Sequence, residues 1–374
     1  MQTKSKAYKK EIARLRQAAN KEFTQKVRQL KSSDPKEYWR LINKKQGSRV
    51  QTNLEELYKH FKELSDNSTQ DNNNDGEEAD DPGAGQDEQP VDITELDKPF
   101  DEDEIKKIAK KLKSNKSPGT DLILNEYIKT SIDQLMPLYV YLFNKVLETG
   151  DVPDAWLVGK IVSIYKGKGS TLEPGNYRGI TLLSCMGKLF TSLLNARLSQ
   201  LIERNHISDE NQASFRKGYG TVDHIFAFKC IIHLSCAKKR KLFCSFVDYQ
   251  KAFDTIWRNG LWTKLIKQGI REKILNVIQN MYKNIKSCVF SGGQQSEYFG
   301  SHVGVRQGEN LSPLLFSLYV NDLEAFLLEN GNSFVTFNMD VCERYLKLLV
   351  LMYADDTVIF ANSADELQRA LSNG

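Results

Sequence analysis

The sequence predicts an α/β chain of the α+β kind: an antiparallel sheet backed by helices and preceded by a basic helical arm. Three observations predict it. Short apolar runs at 161–165, 179–183 and 242–248, and on either side of 353–356, have the length and composition of strands. The longer stretches between them carry apolar residues every three or four positions, the spacing of an amphipathic helix. The pattern lapses at 65–92, where Asn, Asp, Glu, Gly, Gln and Pro leave too little apolar surface to offset the entropy of ordering.

In chain order, Ile12, Leu15, Ala19, Phe23, Val27 and Leu30 mark a first helix. Asp34-Pro35-Lys36-Glu37 starts a second with a capping box and Pro in its first turn, and Leu54, Leu57, Tyr58, Phe61 and Leu64 mark a third. Residues 1–50 hold 15 Lys/Arg against 4 Asp/Glu, whereas 66–104 hold 16 Asp/Glu and one Lys. The arm suits a polyanion gripped through its phosphates, or is simply a solvated helix face. Order resumes at Asp101-Glu102-Asp103-Glu104, a helix cap ahead of Ile105, Ile108 and Leu112, and Ser117-Pro118-Gly119 breaks that helix. A helical pattern from about Glu126 to Glu148 is interrupted at Pro137 and closed by Gly150.

Strands at 161–165 and 179–183 then flank a long basic loop, and Leu189–Leu201 is apolar enough for core helix. A helix over 221–237 leads to Lys238-Lys239-Arg240-Lys241, a solvated connection or a phosphate contact. The strand at 242–248 ends on Asp248. Asp254 precedes a helix through Trp257, Leu261 and Leu265 and reads as its N-cap or a turn residue. Ser312-Pro313 opens a helix with Leu314, Leu315, Leu318 and Val320, and Ser363-Ala364-Asp365-Glu366 caps a last short one.

The six cysteines stand singly in apolar stretches with no C-x-x-C pair, which reads as buried thiols in a reducing compartment. The Lys-rich start lacks a signal-peptide apolar region, and no apolar run approaches a membrane span. The expectation is an intracellular protein of cytoplasm or nucleus, not secreted and not in a membrane.

Chemistry concentrates at Tyr353-Ala354-Asp355-Asp356, at the tip of a hairpin between Leu346–Met352 and Val358–Phe360. Adjacent carboxylates repel unless a cation lies between them, and a divalent metal turns that repulsion into ligation by hard oxygens. Taken alone, the pair suits a solvated turn better than a metal site. Asp248, at the end of its own strand, is placed to face Asp355 from a neighbouring strand.

Together with Phe246-Val247-Asp248-Tyr249-Gln250-Lys251-Ala252-Phe253-Asp254 and Gly304-Val305-Arg306-Gln307-Gly308-Glu309-Asn310-Leu311-Ser312-Pro313, this stretch resembles motifs A, B and C of reverse transcriptases. The wording is closest to non-LTR (LINE-type) retrotransposons. Asn176–Ser184 and Gln212–Tyr219 resemble fingers motifs of the same family, and the likeness spans roughly residues 100–374. It implies a fingers-and-palm fold with an RRM-like palm sheet. It also implies two Mg²⁺ ions, with Mn²⁺ as a substitute, held by Asp248, Asp355 and Asp356, the last more peripheral. RNA template, DNA primer and dNTPs are the implied partners. By the same resemblance Lys160, Lys166, Arg178, Tyr249, Phe253 and Gln307 bind nucleotide, Phe253 as the bulky residue that clashes with a ribose 2′-hydroxyl. Arg216, Gly304, Gly308 and Tyr353 contact template or primer, the glycines by letting backbone approach the base pair.

The division expected is 1–64 basic arm, 65–100 acidic linker, 101–144 helical extension of the fingers, and 145–374 reverse transcriptase domain. Ser163, Leu122 and Ser214 depart from the family pattern, and Glu309 is an unusual anion beside a phosphate-rich site. The sequence stops after the short helix, so a primer-grip hairpin and thumb are expected to be absent and the chain partial. A catalytically inactive RNA-binding remnant is the alternative. A small-molecule nucleotidyltransferase would have no use for the Gly-rich 304–313 block.

Overall fold

The computed structural model describes residues 52–66, 92–339 and 344–373, together with Gln29, Ser33 and Asp34. The helices expected over 12–30 and from 35, and most of the acidic linker, lie outside these residues. The chain divides at Gln51/Thr52, and the unit from Thr52 onward is described here.

That unit opens with α1 (Leu54–Ser65), whose N-cap Asn53 accepts from the Glu56 amide. Its apolar stripe does not belong to a separate arm. Leu57 and Phe61 are buried with Ile161, Tyr177, Val289 and Phe299 against the larger sheet. The packing is close enough that a Cβ on Gly179 would meet Phe61 Cε1 at 2.7 Å.

Regular structure and burial are already present before Asp101, where the sequence suggests they resume. Within the expected 65–100 linker, α2 (Thr94–Asp97) is formed and Leu96 and Phe100 are fully buried. Arg197 ties this segment down by donating to the carbonyls of Leu96, Lys98 and Pro99 and pairing with Glu104 at 2.7 Å. Then come α3 (Glu102–Ala109), α4 (Asn125–Ser131) and α5 (Met136–Thr149). Pro137 stands in the first turn of α5, so it starts that helix and does not break a longer one. Leu122 adopts a left-handed φ of 59°, which accounts for glycine being common there in the family pattern.

After α6 (Asp154–Leu157), β1 (Val158–Tyr165) and β2 (Tyr177–Leu182) form the expected antiparallel pair. α7 (Cys185–Arg204), with Leu189, Phe190, Leu193, Leu194 and Leu198 fully buried, is the axis of the main core. α8 (Thr221–Ala237) matches its predicted limits and leads to β3 (Phe243–Asp248). Next come α9 (Arg258–Lys267), α10 (Glu272–Lys283), β4 (Lys286–Ser291), and the short β5 (Gln294–Gln295) and β6 (Phe299–Gly300). The chain closes with α11 (Ser312–Tyr319), α12 (Leu323–Glu329), β7 (Val335–Met339), β8 (Arg344–Leu348), β9 (Val350–Tyr353), β10 (Asp356–Ala361) and α13 (Ala364–Asn373).

Among the described residues two larger sheets result, with a separate β7–β8 pair. The five-stranded sheet runs β2-β1-β4-β5 with β6 also on β4, and is mixed because β1 and β4 are parallel. The three-stranded sheet β3-β10-β9 is antiparallel throughout, as expected for the part bearing the carboxylates. One of its faces packs on α8 through Ile231, Phe228 and Phe360, the other on α12 and α13 through Leu327, Ala370 and Ile359. Not every thiol is buried as the sequence implied: Cys236 is exposed. Among the described residues no helix is long and apolar enough to cross a membrane.

Candidate active site

Asp248 and Asp356 stand where β3 ends and β10 begins, at a common rim. The β9–β10 connection is a two-residue turn: Tyr353 pairs with Asp356, leaving Ala354 and Asp355 in the loop. The turn therefore uses up Asp355, and Asp356, the first residue of β10, pairs directly with Asp248. The sequence had placed Asp355 in that position, so the facing partner moves by one residue. Directly opposed residues on antiparallel strands share a face, with Cβ atoms about 4.5–5.5 Å apart. Asp248 and Asp356 are exposed and Asp355 is half-buried. Among the described residues no three His, Cys, Asp or Glu side chains are gathered tightly enough to hold a metal ion. Two carboxylates facing each other, with a third in the adjoining turn, are nonetheless the hard-oxygen donors a divalent cation selects.

The 304–313 block packs against the turn that follows β3 and against Thr181 of β2. Its glycines are explained by protein backbone. A Cβ on Gly304 (φ +72°) would meet Asp254 O at 2.6 Å, and one on Gly308 (φ +107°) would meet Thr181 O at 2.7 Å. The block is stitched down by Gly304 N to Ile256 O (2.8 Å), Val305 N to Phe253 O (2.7 Å) and Thr181 N to Gln307 O (3.1 Å). Gln307 Nε2 donates to both oxygens of Asp254, at 2.9 and 2.8 Å. Burial pushes the Asp254 carboxyl up, and the hydrogen bond from Gln307 opposes that. Asp254 is thus a turn residue, its own amide bonded to Lys251 O at 2.7 Å, and not the cap of α9, where Trp257 holds that place. A cleft of about 570 Å³, open to solvent, runs beside Asp254, Gln307, Thr181 and Phe61, and none of the three rim aspartates lines it.

The remaining predicted residues divide by whether their polar ends are engaged. Arg178 is exposed and makes no ion pair among the described residues. Lys160 Nζ lies 3.8 Å from the centroid of the Phe290 ring, and Lys166 Nζ donates to Gly175 O at 2.8 Å, bracing the β1–β2 connection. Phe253 stacks on Phe316 with centroids 4.9 Å apart. Tyr249 bonds to Thr357, and burial pushes its hydroxyl up. Tyr353 is 36% exposed beside the turn. Arg216 is occupied: it pairs with Glu203 at 2.9 Å and Glu210 at 3.4 Å, donates to Asp209 O, and stacks on Tyr219. Its guanidinium shapes its own turn.

Sequence reasoning missed the supports. Arg258 donates to the carbonyls of Gly304, Ser301, Val303 and Tyr282, and burial pulls its guanidinium down to about 10. Glu309 faces inward to Arg306 and Tyr282. Only the i,i+3 spacing of Arg306 and Glu309 hinted at this pair. Behind the hairpin, Glu324 bonds to Asn211 and is pushed up to about 7, by burial first and then by Asp209. A carboxyl whose folded pKa lies above its ordinary 4.5 binds its proton more tightly when folded. The contribution of Glu324 to stability is therefore fully present below about pH 4.5 and is lost as pH rises toward 7. Glu324→Gln is expected to remove that slope and unfold about 1 kcal/mol less readily than wild type at pH 8, solvent screening taking the rest. Denaturant melts at pH 5 and pH 8 check it, and equal slopes for the two proteins count against it.

Residues 164–373, more than half of the chain, match the family described as reverse transcriptase (RNA-dependent DNA polymerase). A probable RNA-directed DNA polymerase from transposon X-element of Drosophila melanogaster is 29% identical over 280 residues, 74% of this chain and 30% of that protein. The RNA-directed DNA polymerase from mobile element jockey of Drosophila funebris is 28% identical over 261 residues, 70% of this chain and 27% of that protein. The chain thus spans under a third of the length of these relatives. A solved apo telomerase from Candida tropicalis overlays 68% of this chain and 54% of its own at a TM-score of 0.39 and 15% identity, too slight a likeness to bear on the fold. With three motif blocks in family order and two of the three aspartates paired at one rim, the chain belongs to the reverse transcriptase (RNA-dependent DNA polymerase) family, among those of LINE-type, non-LTR elements.

Proposed function

We propose that this chain is the fingers-and-palm portion of a non-LTR retrotransposon polymerase that adds dNTPs to a primer 3′-hydroxyl on an RNA template. The observation that carries the reading is the pairing of Asp248 with Asp356, one residue from Asp355. In this reading β3-β10-β9 is the palm sheet, the β1–β2 hairpin belongs to the fingers, and residues 1–50 form a basic arm that adds salt-sensitive grip on nucleic acid. Asp248, Asp355 and Asp356 would hold two Mg²⁺ ions, which when bound activate the attacking hydroxyl and neutralise the leaving pyrophosphate.

The chain's other residues orient what reacts. Arg178, exposed on β2 without an ion-pair partner among the described residues, offers a bidentate fork to a triphosphate. Phe253, fixed by its stack on Phe316, bounds the sugar and favours dNTP over rNTP. Asp254 fixes the amide of Gln307, which then has one orientation to present to the nascent pair.

Primer extension on an RNA template with Mg²⁺ tests the reading. Wild type is expected to extend and Asp355→Ala to fall below about 0.1% of it, a loss of about 4 kcal/mol in transition-state stabilisation. Retention of RNA on a filter without extension by either protein would favour the RNA-binding remnant.

A further inference from the structure

We infer that Gln212 is a positioning residue for the aspartate-bearing turn, an inference that rests on the polymerase reading above. Ala354 takes a left-handed φ of 57° at the first position of the two-residue turn. Gly, Asn and Asp are the usual residues there, and a β-carbon in that region costs about 1–2 kcal/mol. Strain of this kind persists where the surroundings hold it in place. The holding group is Gln212, whose side chain is completely buried and whose Oε1 accepts from Ala354 N at 3.3 Å.

The anchorage of Gln212 is unusually complete for a residue outside regular structure. Segment 211–213 runs along the free edge of β9, with Met352 N donating to Asn211 O at 2.8 Å and Ala213 N to Met352 O at 3.1 Å. His224 Nε2 is 2.9 Å from the same Met352 oxygen. Ser214 directs two further donors to Gln212 Oε1, its amide at 3.1 Å and its hydroxyl at 2.7 Å. Three donors converging on one atom settle which end of the amide is oxygen, since nitrogen there could accept none of them. Gln212 Nε2 is left buried with no partner among the described residues. A buried donor without an acceptor is a cost a purely structural residue would shed, so the amide is retained for what its oxygen does. Arg216 completes the block by bonding to the carbonyls of Asp209 and Gln212, so its place in the 212–219 stretch serves the hairpin.

Gln212→Met keeps length and burial but removes the acceptor, and is tested in the full 374-residue chain. Amide exchange at Ala354 is expected to quicken about ten-fold while β3 amides stay protected. In primer extension kcat is expected to fall about 10- to 100-fold with the KM for dNTP within about two-fold of wild type. Exchange at Ala354 within about two-fold of wild type, or exchange quickened evenly across the sheet, overturns the inference. So does a proportionate change in kcat and KM. If wild type extends no primer, the polymerase reading falls on its own and exchange at Ala354 alone decides whether Gln212 positions the turn. Should Gln212→Met not fold, Gln212→Glu keeps an acceptor oxygen at the same reach. It is expected to hold Ala354 exchange within about two-fold of wild type, and faster exchange there overturns the inference.

Discussion

Asp248→Asn is expected to abolish primer extension, by about 1,000-fold or more, while leaving the protein as stable as wild type or more so. The two effects have opposite signs because they draw on one geometry. Asp248 and Asp356 are directly opposed across β3 and β10. Like charges so placed destabilise a strand pair by roughly 0.2–1 kcal/mol, and neutralising one relieves it. In the proposed reading the same neutralisation would remove a hard anionic donor from a divalent cation. Asp356→Asn should stabilise to a similar degree, because it relieves the same pair. Asp355→Asn should not, since Asp355 stands in the turn and faces neither partner across the ladder. Thermal melts in EDTA beside extension rates in Mg²⁺ decide the matter. Extension within ten-fold of wild type, or a melting point that drops in Asp248→Asn, removes the basis for placing the reaction at this rim.

How much of this arrangement could be read beforehand depended on how local its cause is. The limits of α8 and the start of α11 follow from Gly220 and Ser312-Pro313, and both appear where the sequence put them. Asp248 at the end of a strand was equally legible, because a buried run stops at a charge. The one-residue shift from Asp355 to Asp356 was not, because it depends on a turn type with a left-handed alanine that composition does not announce. Gly304 and Gly308 announced a close approach but not to what, and the answer, the backbones of Asp254 and Thr181, lies about 50 and more than 120 positions away. Arg216 looked like a free cation because its partners Glu203 and Glu210 become neighbours only when the end of α7 folds back. Phe61 looked like part of a detached arm because only the folded sheet offers it Gly179 to fill against. The candidate carboxylates were legible, and the residues packed around their turn were not.

The buried pair inside the 304–313 block supplies the largest expected loss of stability. Arg306 and Glu309 are 7% and 6% exposed, and their closest approach is 3.3 Å. Arg306 also donates to Trp156 O at 2.9 Å and Met281 O at 3.4 Å, while Tyr282 donates to Glu309 Oε2 at 2.8 Å. Burial, with the Glu309 charge adding to it, keeps the Tyr282 hydroxyl protonated far above its ordinary range. Arg306→Met fills most of the volume but strands Glu309 as a buried anion whose one remaining strong donor is that hydroxyl. Breaking a buried pair from one side costs about 3–5 kcal/mol, enough to unfold much of a marginal domain at 37 °C. Glu309→Gln keeps an acceptor for Tyr282 and leaves Arg306 its two carbonyls, so about 1–2 kcal/mol is expected. The double variant Arg306→Met/Glu309→Gln should be more stable than Arg306→Met alone, a coupling of about 1–3 kcal/mol that a denaturant double-mutant cycle reads directly. Additive losses would mean the two charges do not depend on each other. The pair brackets Gln307 in sequence, so the same cycle run on primer extension at a permissive temperature asks whether the loop that presents Gln307 is set from inside. Extension in the folded Arg306→Met fraction is expected to fall with Gln307 displaced, and to recover partly in the double variant as stability does.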